Sequence, residues 1–369
     1  MKLGITGIGI VSPLGTGKET NWKRLINSES AVKYNKILDI HSACVNGFVV
    51  QESERQYEMA KSAIWEAVSG ADLNNSDFDR KRIGLCLGES KINLFRNDFS
   101  LESSLTNKLK ETFCFYGESI TLSAACATGI LTTIKGCQLI KNRLCDAVIC
   151  GCSETSIHPL YIAGFKKMGV LTKHIPSPFD KNRDGFAVGE GACFVVIENI
   201  EKALMRNAKV YCEIDGIANS MYSDKPLSIS SYKSMADIIR KAVNSQTPDY
   251  IHAHGTGTKL NDYNESLAIA KTFKDSDKIS ISSTKAATGH MLSVSGLIGV
   301  VFSTLAMENN IVPPTLNFKN TDINLGLDYT PNFAKEKIIN SALILSFGFG
   351  GQGSTLFLKK FLHNKKTIF

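Results

Sequence analysis

Apolar residues recur along the chain at two spacings, and together they predict a succession of strands and helices. Residues 3–11 and 83–87 read as strands, and 146–150 as a short strand ending at Gly151. Residues 192–197 and 342–346 are unbroken apolar runs, as expected for strands covered on both faces. Residues 57–71 carry apolar side chains at helical spacing. Residues 127–141 and 286–307 read as helices lined by small residues, which allow close approach to neighbouring backbone. The least polar stretch, 291–307, is too short for a membrane span and holds three serines, so it predicts a buried core helix. The Ser- and Asn-rich stretch 219–232, with Pro226, reads as the least regular part.

The pattern also repeats. Cys126-Ala127-Thr128-Gly129 starts a helix after a strand-like segment, and Ala286-Ala287-Thr288-Gly289 does the same 160 positions later. G-E-G-A-C-F-V-V-I-E at 189–198 is echoed by G-Q-G-S-T-L-F-L-K-K at 351–360, an offset of 162. Two agreeing offsets predict two related halves, 1–205 and 206–369. Strand 3–11 pairs in this scheme with 210–217, which leaves about 45 extra residues in the first half. Insertions of that size carry lids, pocket walls or partner contacts.

Composition narrows the class. The chain has 369 residues, 43% hydrophobic and 21% charged, which excludes a disordered, collagenous or membrane-bundle protein. The net charge of +7 is spread without a long Lys/Arg run, so nucleic acid is not expected; an acidic protein partner or an anionic ligand is. Met1-Lys2 leads directly into a strand pattern rather than a secretory signal, so a cytoplasmic protein with ten reduced cysteines is expected. Cys150 and Cys152 form C-x-C, and His252 and His254 form H-x-H. Neither has a second cluster at zinc spacing, and no metal site is expected.

Four segments can carry chemistry. In S-A-A-C-A-T-G-I (123–130), Cys126 sits where a strand feeds a helix start, whose free N–H groups favour a thiolate. From the local pattern a buried structural cysteine fits equally well. In I-H-A-H-G-T-G-T-K-L-N-D-Y-N-E (251–265), His254 beside the glycine turn is the candidate proton shuttle or carbonyl polariser, and His252 reads as a core histidine. In S-S-T-K-A-A-T-G-H-M (282–291), Lys285 lies among small neutral residues, as a lysine charge-paired with a thiolate would, and His290 follows five residues on. The G-x-G-x-x-G of Gly348–Gly353 precedes a strand and lacks a following acidic residue, so it reads as a loop aiming backbone N–H groups at a site. G-T-G-K-E-T at 15–20 fails as a phosphate loop, with Ser12 at the first glycine position.

These motifs together resemble the β-ketoacyl-ACP synthases of the thiolase superfamily, in particular the synthase II type. A-C-A-T-G, H-G-T-G-T-x-x-N-D, T-K-x-x-T-G-H, the terminal G-F-G-G and the stretch S-P-F-D-K-N-R-D-G-F-A-V-G-E-G (177–191) occur in the family's order, across residues 3–360. The resemblance implies an α/β fold, a thiolase-like five-layer αβαβα sandwich of two duplicated halves. It implies a decarboxylative Claisen condensation with Cys126 as acyl acceptor and neutral His254 and His290 as hydrogen-bond donors to the enolate oxygen. By the same resemblance Lys285 orients His290, and Glu265 is the carboxylate anchoring the Lys285 neighbourhood. The N–H groups of Cys126 and Phe349 form the oxyanion hole; Phe349 also gates the pocket, with Phe165 as a wall. No cofactor is implied beyond the phosphopantetheine that acyl carrier protein brings. The implied partners are that carrier and a second subunit, in a homodimer or in a heterodimer with a chain-length-factor subunit.

Three departures refine the resemblance. The segment between Gly88 and Cys126 is shorter than in typical fatty-acid synthases II, which bears on pocket length and on the partner subunit. Gln352-Gly353 stands where those enzymes commonly carry Thr-Asn. The early helix segment R-Q-Y-E-M-A-K (55–61) is less basic than the family's carrier-docking helix, which points docking to Lys166, Lys167, Arg96 or Lys91. These features favour a type II polyketide or aryl-polyene ketosynthase over housekeeping fatty-acid elongation. A non-catalytic chain-length factor would lack Cys126. A CoA-dependent thiolase would carry a second cysteine in the C-terminal loop, where this chain has none.

Overall fold

The apolar runs fold as strands buried on both faces, and their order in the sheets is the same twice. The computed structural model describes residues 1–48, 50–74, 78–90, 104–221 and 231–362. The first five core strands are β1 (Leu3–Ser12), β2 (Ile83–Gly88), β3 (Ser119–Leu122), β4 (Ala147–Glu154) and β5 (Gly191–Asn199). The second five are β6 (Cys212–Met221), β7 (Tyr250–His252), β8 (Ser280–Ser282), β9 (Ser341–Gly348) and β10 (Gln352–Lys360). The sheet order is β3-β2-β4-β5-β1, then β6-β10-β9-β7-β8, so each half lists its strands identically outward from the joint. Strands β2, β3 and β4 are parallel, as are β7, β8 and β9; the last strand of each half returns antiparallel. The halves meet where β1 pairs antiparallel with β6, Gly4 opposite Glu213 and Ile5 opposite Cys212.

Helices fill three layers around the sheets. α1 (Glu52–Gly70) and α2 (Leu105–Phe113) cover the outer face of the first sheet, packing Met59, Ala63, Ile64 and Leu109 on Leu85, Ile149 and Phe194. α3 (Thr128–Lys141) and α6 (Val294–Asn309) lie between the sheets, with Ile130, Ile134, Leu297 and Val301 against Ile8, Val195, Ile344 and Leu356. α4 (Tyr232–Val243) and α5 (Lys259–Thr272) close the far side through Met235, Ile239 and Ile269. The result is the expected five-layer αβαβα sandwich. Residues 294–307 of α6 are buried all round, which explains a helix apolar on every face. No helix among the described residues is long and apolar enough to cross a membrane.

Two expected helices differ in extent. α1 begins at Glu52, five residues before the apolar periodicity shows, because its first turn is held by polar contacts: Arg55 ion-pairs with Glu190 at 2.5 Å and donates to the carbonyls of Val45 and Phe48. The expected helix 286–307 is broken. One turn, Lys285–Thr288, stops at Gly289 with φ 71°, and α6 restarts at Val294. The carrier-docking candidates Lys91 and Arg96, and the stretch 222–230, lie outside the described residues.

Candidate active site

Cys126 is held by a strained elbow. After β3 the chain passes Ala125 at φ 48°, enters a single 3-10 turn over Ala125–Ala127 and continues into α3. Thr128 clamps the turn: its hydroxyl accepts from the Ala124 N–H at 2.8 Å and donates to the Ala125 carbonyl at 2.6 Å. Ser346 Oγ of β9 donates to the Cys126 carbonyl at 2.7 Å, tying the elbow to the second half. Cys126 therefore sits at the mouth of α3 with its backbone fixed from both sheets.

His254 follows β7 on a turn that two groups pin from opposite sides. Glu265 of α5 accepts from the N–H of His254 at 2.6 Å and of Gly255 at 2.8 Å. The Lys285 ammonium donates to the His254 carbonyl. Gly255 (φ 38°) and Gly257 (φ 81°) occupy left-handed conformations that this turn requires. Both charged groups are fully enclosed, so burial pulls Lys285 down to about 8 and pushes Glu265 up to about 7. The assignment of Lys285 to His290 is thus corrected: the ammonium reaches the peptide of His254, not the imidazole of His290. Glu265 likewise anchors the His254 turn, and it acts on Lys285 through charge, without a hydrogen bond.

His290 enters through the break between the short helix and α6. Its N–H donates to the Ala187 carbonyl at 2.7 Å, and its carbonyl accepts from Gly189 at 2.9 Å, so the 177–191 stretch docks it. Its Nε2 lies 3.2 Å from Cys126 Sγ, and its Nδ1 lies 2.9 Å from Ser295 Oγ. The His254 ring stands edge-on to it with centroids 5.5 Å apart. Donor atoms of Cys126, His254 and His290 all fall within 4.8 Å of one another. Burial, with Lys285 and His290 adding to it, holds His254 well below the ordinary histidine range, so it stays neutral near pH 7. Among the described residues His254 Nδ1 is buried without a hydrogen-bond partner.

The three side chains sit at the base of a cavity of about 390 Å³, walled by Phe186, Phe347, Phe349 and Val170 and reaching Lys259 and Leu260 at the surface. Gly348 lies against the elbow: a Cβ there would stand 3.3 Å from the Cys126 N and 3.2 Å from the Ala124 carbonyl. The backbone of Phe349 therefore follows directly beside the cysteine turn. Phe165 is not a wall of this cavity. Its ring packs on Phe186, centroids 5.7 Å apart, and Phe186 in turn meets His290 edge-on at 4.9 Å. Phe186 and Ser295 are the residues that sequence reasoning missed. Phe186 lies inside the 177–191 stretch, and Ser295 five residues after His290, so proximity to the motifs was their only signal. His252 is a core histidine as expected, bonded through Nε2 to Thr284 at 3.1 Å and kept neutral by burial, which lowers it to about 3. Among the docking candidates, Lys166 is exposed but donates to the Leu38 carbonyl at 2.9 Å, and Lys167 is exposed. All ten cysteines are free thiols.

Chemically, a thiol at a helix mouth, two imidazoles facing it and an apolar approach suit acyl transfer to sulfur followed by stabilisation of an oxyanion. Comparison with known proteins points the same way. Models of the β-ketoacyl synthase N-terminal and C-terminal domains match residues 48–203 and 211–319. A 3-oxoacyl-[acyl-carrier-protein] synthase 2 of Coxiella burnetii is 32% identical, covering 96% of this chain and 98% of its own. Two solved structures superpose with a TM-score of 0.90 at 26% identity, covering 98% of this chain and 99% of theirs. One is a type II polyketide ketosynthase bound to a hexaketide in complex with its acyl carrier protein, the other the ishigamide ketosynthase/chain length factor.

Proposed function

The chain belongs to the β-ketoacyl synthase family, and from that premise we propose which of its side chains carry each step. The protein is an acyltransferase of the 3-oxoacyl-[acyl-carrier-protein] synthase type. The observation that supports the residue roles is the 3.2 Å approach of Cys126 Sγ to His290 Nε2, at the base of an apolar cavity that His254 shares.

In the first step the Cys126 thiolate attacks the thioester carbonyl of an acyl carrier. The carrier's thiolate leaves, and the acyl group stays on sulfur. The N–H groups of Cys126 and Phe349 receive the negative charge of the tetrahedral intermediate. Malonyl carrier then enters. Its C–C bond to the carboxylate breaks, CO2 departs, and the electron pair becomes an enolate whose oxygen takes hydrogen bonds from His254 and His290. The enolate carbon attacks the acyl-cysteine carbonyl, the C–S bond breaks, and the product is a 3-oxoacyl carrier two carbons longer. A neutral His254 suits this role, because its ring can donate a hydrogen bond to the enolate oxygen without placing a full counter-charge beside the thiolate. Lys285 and Glu265 act through the peptide of His254, holding its ring in place. No metal or organic cofactor is needed, since the thioester and the malonyl carboxylate supply the leaving groups.

The pathway we assign is type II polyketide or aryl-polyene synthesis, with acyl carrier protein as substrate carrier and either a second copy or a chain-length-factor subunit as partner. The type II polyketide ketosynthase and the ketosynthase/chain length factor that superpose at 0.90 support this reading, as does the altered Gln352-Gly353 loop. Intact-protein mass spectrometry after incubation with a panel of acyl carriers tests it: an acyl adduct on Cys126 is expected, and an adduct on another cysteine overturns the assignment. The mass of the purified assembly separates a homodimer from a heterodimer.

A further inference from the structure

The hydroxyl of Ser295 is surrounded so that its proton has one destination. Ser295 lies in the first turn of α6 and is 7% exposed. Its Oγ accepts the Met291 N–H at 2.9 Å and stands 2.9 Å from His290 Nδ1. Among the described residues no other group bonds to this hydroxyl. A serine hydroxyl carries one proton and two acceptor sites. If Nδ1 carried the imidazole proton, Oγ would accept twice and its own proton would be buried unpaired, at a cost of about 1–3 kcal/mol. If Nδ1 is bare, the serine proton fills it and every group is satisfied. The neutral imidazole then carries its proton on Nε2, the nitrogen 3.2 Å from Cys126 Sγ.

We infer that Ser295 is a positioning residue that fixes the His290 tautomer, so that Nε2 presents N–H to the reacting atoms. This inference rests on the reading of His290 as a hydrogen-bond donor. It adds the group that makes it one. With the opposite tautomer Nε2 would be bare: it would accept the Cys126 thiol proton as a base and would have no hydrogen to offer an enolate oxygen.

Selective 15N labelling of the seven histidines of the full chain tests this directly. In the wild type the His290 signals, assigned by their loss in His290→Asn, should show Nδ1 unprotonated and Nε2 protonated; a protonated Nδ1 overturns the inference whether or not the Ser295 variants fold. Ser295→Ala should lower decarboxylation of a malonyl N-acetylcysteamine thioester by roughly 10-fold, the factor of one buried hydrogen bond. Ser295→Thr keeps the hydroxyl and should recover most of the rate. Equal losses in the Ala and Thr variants, or an unchanged rate in Ser295→Ala, overturn the assignment. Should the wild type show the expected tautomer yet take no acyl group from any carrier, the ketosynthase reading of the residues fails and the role of Ser295 in setting the proton stands.

Discussion

The two halves share a strand order but not a chemistry, and the difference lies in one connection. After β3 the chain makes the Ala125 elbow and runs on into α3, so the first half presents a single group, Cys126, at an uninterrupted helix mouth. After β8 the same topological position begins a helix at Lys285 and abandons it at Gly289, and α6 resumes five residues later. That break is what brings His290 over the cysteine and Ser295 beneath the histidine. The two helix mouths are pressed together: a Cβ on Gly129 would stand 2.5 Å from the Ser293 carbonyl. On the roles proposed above, the duplicated scaffold divides the labour, with the nucleophile on the copy that kept its helix whole and the hydrogen-bond donors on the copy that interrupted it.

The sharpest way to separate the two copies is to disable each in turn. Cys126→Ala should remove condensation by on the order of 10³-fold or more while malonyl decarboxylation persists, because the second half is untouched. Carbon dioxide release and acyl-enzyme mass measure the two steps independently. Loss of both together would break the division. The complementary variants, His254→Ala and His290→Ala, should lower decarboxylation by roughly 10²-fold and acylation of Cys126 by less. If acylation falls as far, the imidazoles serve the nucleophile and the comparison between halves is wrong.

Most of the scaffold was readable from the chain, for a physical reason. Strands such as β5 and β9 are buried on both faces, so every position is apolar and the run stands out. The interruption before α6 was not readable, because Ala286, Ala287 and Thr288 continue the apolar pattern and Gly289 was its only marker. The side chains Cys126, His254 and His290 came together as their motifs implied. Lys285 was given the wrong neighbour because its partner is a backbone carbonyl, which carries no side-chain signature. Phe165 was named as a wall and Phe186 was missed, because only the fold puts Phe186 in front.

The Glu265–Lys285 frame belongs to the second half alone and should give it a pH signature. Glu265 is raised from 4.5 to about 7 by burial, so its contribution to stability is present in full below pH 4.5 and is lost as pH rises through about 7. Lys285 is lowered from 10.5 to about 8, so its contribution is present above pH 10.5 and is lost as pH falls through about 8. The pair is least favourable between these values, where both groups are charged. Glu265→Gln should flatten the decline in stability from pH 4.5 to 7 measured by urea titration. A slope that survives the substitution assigns the pH dependence elsewhere.

The smallest effects come from glycines in the two central helices, and they distinguish packing from chemistry. In α3 a Cβ on Gly136 would strike Cys150 Sγ; in α6 a Cβ on Gly299 would stand 2.6 Å from Nδ1 and 3.0 Å from Cε1 of His252, and 2.9 Å from Ile344. Either Gly→Ala change overfills the central layer and should lower stability by about 1–3 kcal/mol in the same urea titration. Their consequences for activity should differ. His252 is bonded to Thr284, the residue before Lys285, so a displaced His252 ring disturbs the frame under His254. Gly136→Ala presses on Cys150 and Val148 of β4 and on Ile197 of β5, none of which lines the cavity. Malonyl decarboxylation, compared at equal folded fraction, should therefore fall in Gly299→Ala and hold in Gly136→Ala. Equal activity in the two variants would mean that the frame tolerates the shift, and that the second half is no more sensitive to its core than the first.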